Sequence, residues 1–177
     1  MRFYFYSLLL CLFLVMVAGC TSNQTSSMDK ESFPTEKEAF THFIQKEKAT
    51  ADVEKVQTLE GDELYVVRSG NHQYGVYGMA KLDDRYSVKK LTATMSLHNT
   101  ISGGFEFTSS KGKEYTKLAA KQLEGLDYST TLHNEFHKIF SEDAHIALSK
   151  GHTLGQSVNE REESIIQTTE TVQSNAS

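Results

Sequence analysis

The chain has no tryptophan and only two cysteines among its 177 residues. Without tryptophan it lacks the strongest carbohydrate-stacking side chain. Cys11 and Cys20 both lie in the first 20 residues. The remainder therefore has no disulfide, no cysteine nucleophile, no iron–sulfur site and no thiolate zinc site. Phosphate-cradling loops are missing as well. Neither Gly-x-x-x-x-Gly-Lys nor Gly-x-Gly-x-x-Gly occurs, and there is no calcium loop of the Asp-x-Asp-x-Asp-Gly kind. Basic charge is in deficit, at a formal net charge of −5. Nucleic-acid binding rests on neutralising phosphates, so that class of partner is excluded. Lying flat on anionic lipid is disfavoured on the same ground.

One long apolar run is present. It extends over 16 residues, from Phe3 to Ala18, after a single basic residue, Arg2. As a helix it would span about 24 Å at about 1.5 Å per residue. A hydrocarbon core is about 30 Å thick, so the run is short for a transmembrane helix. A basic start, a short apolar stretch and small residues at its end describe a secretory signal peptide. The end reads Val17-Ala18-Gly19-Cys20.

That sequence resembles the lipobox of bacterial lipoproteins: an aliphatic residue, two small residues, then cysteine. The resemblance covers residues 1–20. It implies a diacylglyceryl thioether on Cys20 and cleavage between Gly19 and Cys20. Two acyl chains anchor far more firmly than one, at about 0.8 kcal/mol per buried methylene. The basic region departs from the usual pattern in holding one basic side chain. Cleavage would remove Arg2 and no acidic residue, taking the formal net charge from −5 to −6. Thr21 follows the cysteine, where an aspartate commonly retains lipoproteins at an inner membrane. This favours the outer face of a Gram-positive plasma membrane.

Residues 20–32 form a lipidated polar tether, TSNQTSSMDKES after the cysteine, rich in Ser and Thr. Phe33-Pro34 then introduces a helix. Thr35 stands at an N-cap position, with Glu38 three residues later in a capping-box pattern. Ala39, Phe40, Phe43 and Ile44 fall on one stripe, which predicts a helix from about Glu36 to Lys48. Strand signals follow: Leu64 to Val67, then Tyr74 to Ala80 after a Gly70-Asn71 turn. Asp83-Asp84 turns the chain into Tyr86 and Val88. Leu91, Ala93, Met95 and Leu97 alternate with Thr92, Thr94 and Ser96, the pattern of a half-buried strand. The phase change at Lys89-Lys90 points to a bulge or break. Phe105 and Phe107, a Lys111-Gly112 turn and Tyr115 read as a hairpin, although Lys113 to Leu123 also fits helix spacing. The expected architecture is a single α+β domain over residues 33–158, an N-terminal helix packed on an antiparallel β-meander. Residues 159–177 are polar and are expected to be a flexible tail.

Chemistry-bearing patterns are sparse. His133 and His137 stand at i and i+4, a metal-ligand spacing on a helix, with His145 nearby. Asn134 occupies the place where a zincin carries glutamate. Ser-x-x-Lys occurs at Ser27/Lys30, Ser87/Lys90 and Ser110/Lys113, without the companion boxes of penicillin-recognising enzymes. Tyr65, Tyr74, Tyr77 and Tyr86 fall on consecutive predicted strands. On one outer face they would form an aromatic platform for sugar or peptide. These patterns point to a non-catalytic envelope domain that binds a protein or small ligand and needs no cofactor. The alternative is a metal-dependent site on His133, His137 and His145.

Overall fold

Thr35 starts the helix in the manner its sequence position predicts: the Glu38 amide donates to Thr35 Oγ1 at 3.2 Å. The helix, α1, spans Glu36–Lys48 and carries Glu36 and Glu38 in its first turn, where acids favour the helix dipole. A computed structural model describes residues 31–48, 51–70, 72–123, 136–140, 144–155 and 164–172. The signal and cleavage positions, Gly19, Cys20 and all others before residue 31, lie outside the described residues. No helix among the described residues is long and apolar enough to cross a membrane.

Ten strands follow among the described residues: β1 (Ala51–Thr58), β2 (Glu63–Ser69), β3 (Gln73–Leu82), β4 (Arg85–Lys90), β5 (Met95–Ser96), β6 (Ser102–Thr108), β7 (Glu114–Ala120), β8 (His137–Ile139), β9 (Ala144–Lys150) and β10 (Ile166–Thr171). The first sheet runs β10-β1-β2-β3-β4, with β5 also on β3; the second runs β6-β7-β9-β8. All pairings are antiparallel. Strand residues make up 55% of the described chain and helical ones 11%, which overturns the α+β expectation. The domain is mostly β, two antiparallel sheets with a single described helix, where one meander was expected.

Both sheets contribute to one core. Val56, Val66, Tyr74 and Val76 of the first pack with Phe107, Tyr115, Ile146 and Leu148 of the second. The helix lies on the outer face of the first sheet. There Phe43 joins Val53, Tyr65 and Val67 in a separate cluster. Phe40 stacks on Tyr65 at 4.8 Å and Phe43 on Tyr77 at 5.2 Å.

Two segments depart from their sequence patterns. The polar stretch after residue 158, expected as a tail, supplies β10, which pairs with β1 and buries Ile166. The alternating stretch from Leu91 to Leu97 is paired only at Met95–Ser96. The break before it is real: the amides of Leu91 and Thr92 both donate to the Val76 carbonyl, and Thr92 Oγ1 accepts from the Val76 amide. At the tether's end, Ser32 accepts bonds from the Arg85 guanidinium, and Phe33 forms a β-bridge with Tyr86. Within Lys113 to Leu123 the chain forms the hairpin strand β7, Glu114–Ala120, closed on β6 through Gly112 at φ 79°.

Candidate functional site

The helix covers one part of the first sheet's outer face. The part beyond its N-terminal turns stays open as a cleft of about 640 Å³. Directly opposed strand residues share a face. Lys55, Tyr65 and Tyr77 therefore form one outward row, and Gln57, Glu63 and Met79 the next. Lys81 and Tyr86 face each other on β3 and β4. The β1–β2 turn adds Asp62 and the β6–β7 turn adds Lys111, while the helix adds Glu36, Lys37 and Phe40.

Two carboxylates on the floor are held internally. Glu63 Oε2 pairs with Lys55 Nζ at 2.7 Å, and Glu63 Oε1 accepts from the Tyr65 hydroxyl. Burial, reinforced by that carboxylate, drives the Tyr65 phenol far above its ordinary range. Asp62 is buried, and its Oδ2 accepts from Tyr115 at 2.6 Å. Lys111 Nζ lies 3.1 Å from Asp62 Oδ1. Burial pushes the Asp62 carboxyl up, yet bonds from Tyr115, Lys111 and Ser109 outweigh it and hold the group below the usual carboxylate range. The Tyr115 phenol moves up, through burial first and the Asp62 bond second.

These shifts push the Asp62 carboxyl and the Tyr65 and Tyr115 phenols away from neutrality. Asp62 stays ionised, and the two phenols stay protonated donors. Such groups present fixed donors and acceptors; a general acid or base works best with a pKa near the working pH. The cleft walls are less committed. Lys37 has no ion-pair or hydrogen-bond partner among the described residues, and Lys81 Nζ sits 5.4 Å from the Tyr86 ring centroid.

The tyrosine platform does not form. Strand alternation sends Tyr74 into the core between the sheets, 1% exposed, against Phe140. Tyr65 and Tyr77 face outward from the sheet but lie under the helix beside Phe43. Tyr86 is half-exposed at the cleft wall.

The histidines do not converge either. His133 lies outside the described residues. His137 is opposite Ile146 and His145 opposite Lys138, so the two imidazoles point to opposite faces of the second sheet. No group of three metal-ligating side chains occurs among the described residues. His137 Nε2 and His145 Nδ1 are buried without a hydrogen-bond partner among them.

Two inward-facing charges went unread in the sequence. Glu54 is 3% exposed and accepts bonds from the Phe140 amide and Thr171 Oγ1. Lys117 is 1% exposed. In both cases alternation was the available signal: Glu54 is in phase with Val56, and Lys117 with Tyr115 and Ala119.

Comparison with protein-family models, with curated proteins and with solved structures finds no match to this chain.

Proposed function

We propose that this chain is a bacterial lipoprotein, cut before Cys20 and held on the outer face of a membrane by lipid on that cysteine. Its β domain is a non-catalytic binding domain, and the cleft beside α1 is where the ligand sits. The lipobox-like Val17-Ala18-Gly19-Cys20 supports the anchor. One observation carries the binding reading. On the cleft floor Asp62 is held ionised and Tyr65 protonated, while Lys37 and Lys81 stand on its walls free of carboxylate partners among the described residues. Such a site suits a polar ligand, or a segment of an envelope protein, that brings an anionic group to the lysines and stacks against Tyr86.

Titration of isotope-labelled protein with acidic oligosaccharides and acidic peptides, followed by NMR, tests this reading. Shifts are expected at Lys37, Lys81 and Tyr86, and they should vanish in the Lys37→Glu, Lys81→Glu double variant. Binding that maps to the second sheet, or that survives both substitutions unchanged, would place the ligand elsewhere.

A further inference from the structure

Lys117 lies on β7 between Tyr115 and Ala119, and alternation turns it between the two sheets. Val56, Val66 and Val76 enclose it from the first sheet, and Phe107, Ile146 and Leu148 from the second. The space left among them is about 10 Å³, at most room for one water. Among the described residues its Nζ has no hydrogen-bond partner. A buried ammonium with neither counter-ion nor solvent is heavily penalised.

On β8, His137 shares the inner face with Ile146 and its Nε2 has no hydrogen-bond partner among the described residues; the other charged and titratable groups on the surrounding inner faces are committed elsewhere. On β1, Glu54 accepts from Phe140 and Thr171. On β2, Arg68 pairs with Asp52 and lies over the Phe140 ring. On β3, Tyr74 meets His72 Nδ1 at 3.1 Å. On β7 itself, Tyr115 donates to Asp62, and at the end of β9 Lys150 sits beside Glu60. The inner face of β6 presents Phe105 and Phe107 and no charge.

We propose that Lys117 is a proton-operated latch between the sheets: the seam along β7 opens to bring water to a protonated Nζ and shuts when the amine is neutral. Burial holds this amine down to about 8, from an ordinary lysine value of 10.5. An opened, hydrated Lys117 regains the ordinary value, so the open form binds more protons than the shut one between those limits. Opening is therefore easiest at and below about pH 8 and is suppressed as the pH rises from there. Tyr115, two residues away, holds Asp62 at the cleft floor, so seam and cleft share one strand. The latch itself stands whatever the cleft binds.

Amide hydrogen exchange of the full chain at pH 7, 8 and 9, corrected for intrinsic chemical rates, tests it. The opening constant for peptides of β7 and β9 should fall about tenfold from pH 7 to pH 9. The peptide of α1, which packs in a separate cluster, should not follow. Lys117→Met should abolish the pH dependence. A flat profile in the wild type, an unchanged profile in Lys117→Met, or an equal response in α1 would overturn the latch. Direct NMR titration of the Lys117 ammonium in the wild type needs no variant. A midpoint near 8 supports the proposal, and one near 10.5 refutes it.

Discussion

The Tyr115 hydroxyl donates to Asp62 Oδ2 at 2.6 Å across 53 positions of sequence, tying the second sheet to a turn of the first. The tie is reinforced from the same side. Lys111 Nζ donates to the Gly61 carbonyl at 2.9 Å, and Lys113 Nζ to that of Glu60 at 2.5 Å. The turn is also braced from within: the Asp62 amide donates to Thr58 Oγ1, and the Thr58 amide to the Asp62 carbonyl. This end of the sandwich borders the cleft, so its stability and the shape of the cleft floor depend on the same bonds.

Tyr115→Phe keeps the ring contact with Phe107 and deletes the bond to a buried charge. A hydrogen bond to a charged group contributes about 1.5–3 kcal/mol, so a loss of about 2 kcal/mol at pH 7 is expected. The pH dependence has a definite sign. The Asp62 carboxyl is depressed in the folded state, so its contribution is present above the unfolded value of 3.8 and is lost as pH falls through the folded one. Urea denaturation at pH 7 and pH 3 should show the two proteins converging in acid. A constant gap would assign the loss to packing.

Glu54 has the opposite sign. Burial raises its carboxyl, and bonds from Thr171 and Phe140 only partly offset that. A raised carboxyl favours folding at low pH and loses that contribution as pH rises through the folded value. Glu54→Gln keeps an oxygen acceptor for the Phe140 amide and removes the buried charge. The variant is expected to be more stable than wild type at pH 7, with the difference shrinking toward pH 4. Thermal melts across that range check this; a variant less stable at neutral pH would contradict it.

Gly104→Ala tests the packing of the β6 edge. A Cβ at this position would stand 2.8 Å from Leu118 Cδ2, 2.9 Å from Leu154 Cδ2 and 3.1 Å from the Lys117 carbonyl oxygen. The backbone oxygen has little freedom to move aside. Overpacking of this kind costs about 1–3 kcal/mol, measurable as a lowered urea midpoint at unchanged slope.

Local signals in the sequence carried the local structure. The Thr35 cap, the Phe40–Phe43–Ile44 stripe and the Lys111-Gly112 turn each specify geometry within a few residues, and α1 and the β6–β7 hairpin lie where those signals point. Sheet membership is set at long range and was harder to read. Strand β10 looks like tail because Ile166 is its only apolar residue; it holds its place by backbone pairing with β1. Leu91 to Leu97 alternates like a strand, yet the chain leaves β4 there by crossing the Val76 carbonyl, and side-chain period alone does not reveal the crossing. The tyrosines were assigned to strands but not to faces. A shift of one position sends Tyr74 into the core and leaves Tyr77 outside it. At the candidate site, Tyr65 and Tyr86 were legible as aromatic strand residues. The lysines and carboxylates beside them were not, because their meeting depends on the β1–β2 and β6–β7 turns coming together in space.

Intact mass of the membrane fraction tests directly where the protein resides. For the wild type, loss of residues 1–19 is expected together with the added mass of a diacylglyceryl group, and both changes are expected to be absent in Cys20→Ala. An unmodified wild-type chain that keeps residues 1–19 would contradict the lipoprotein assignment.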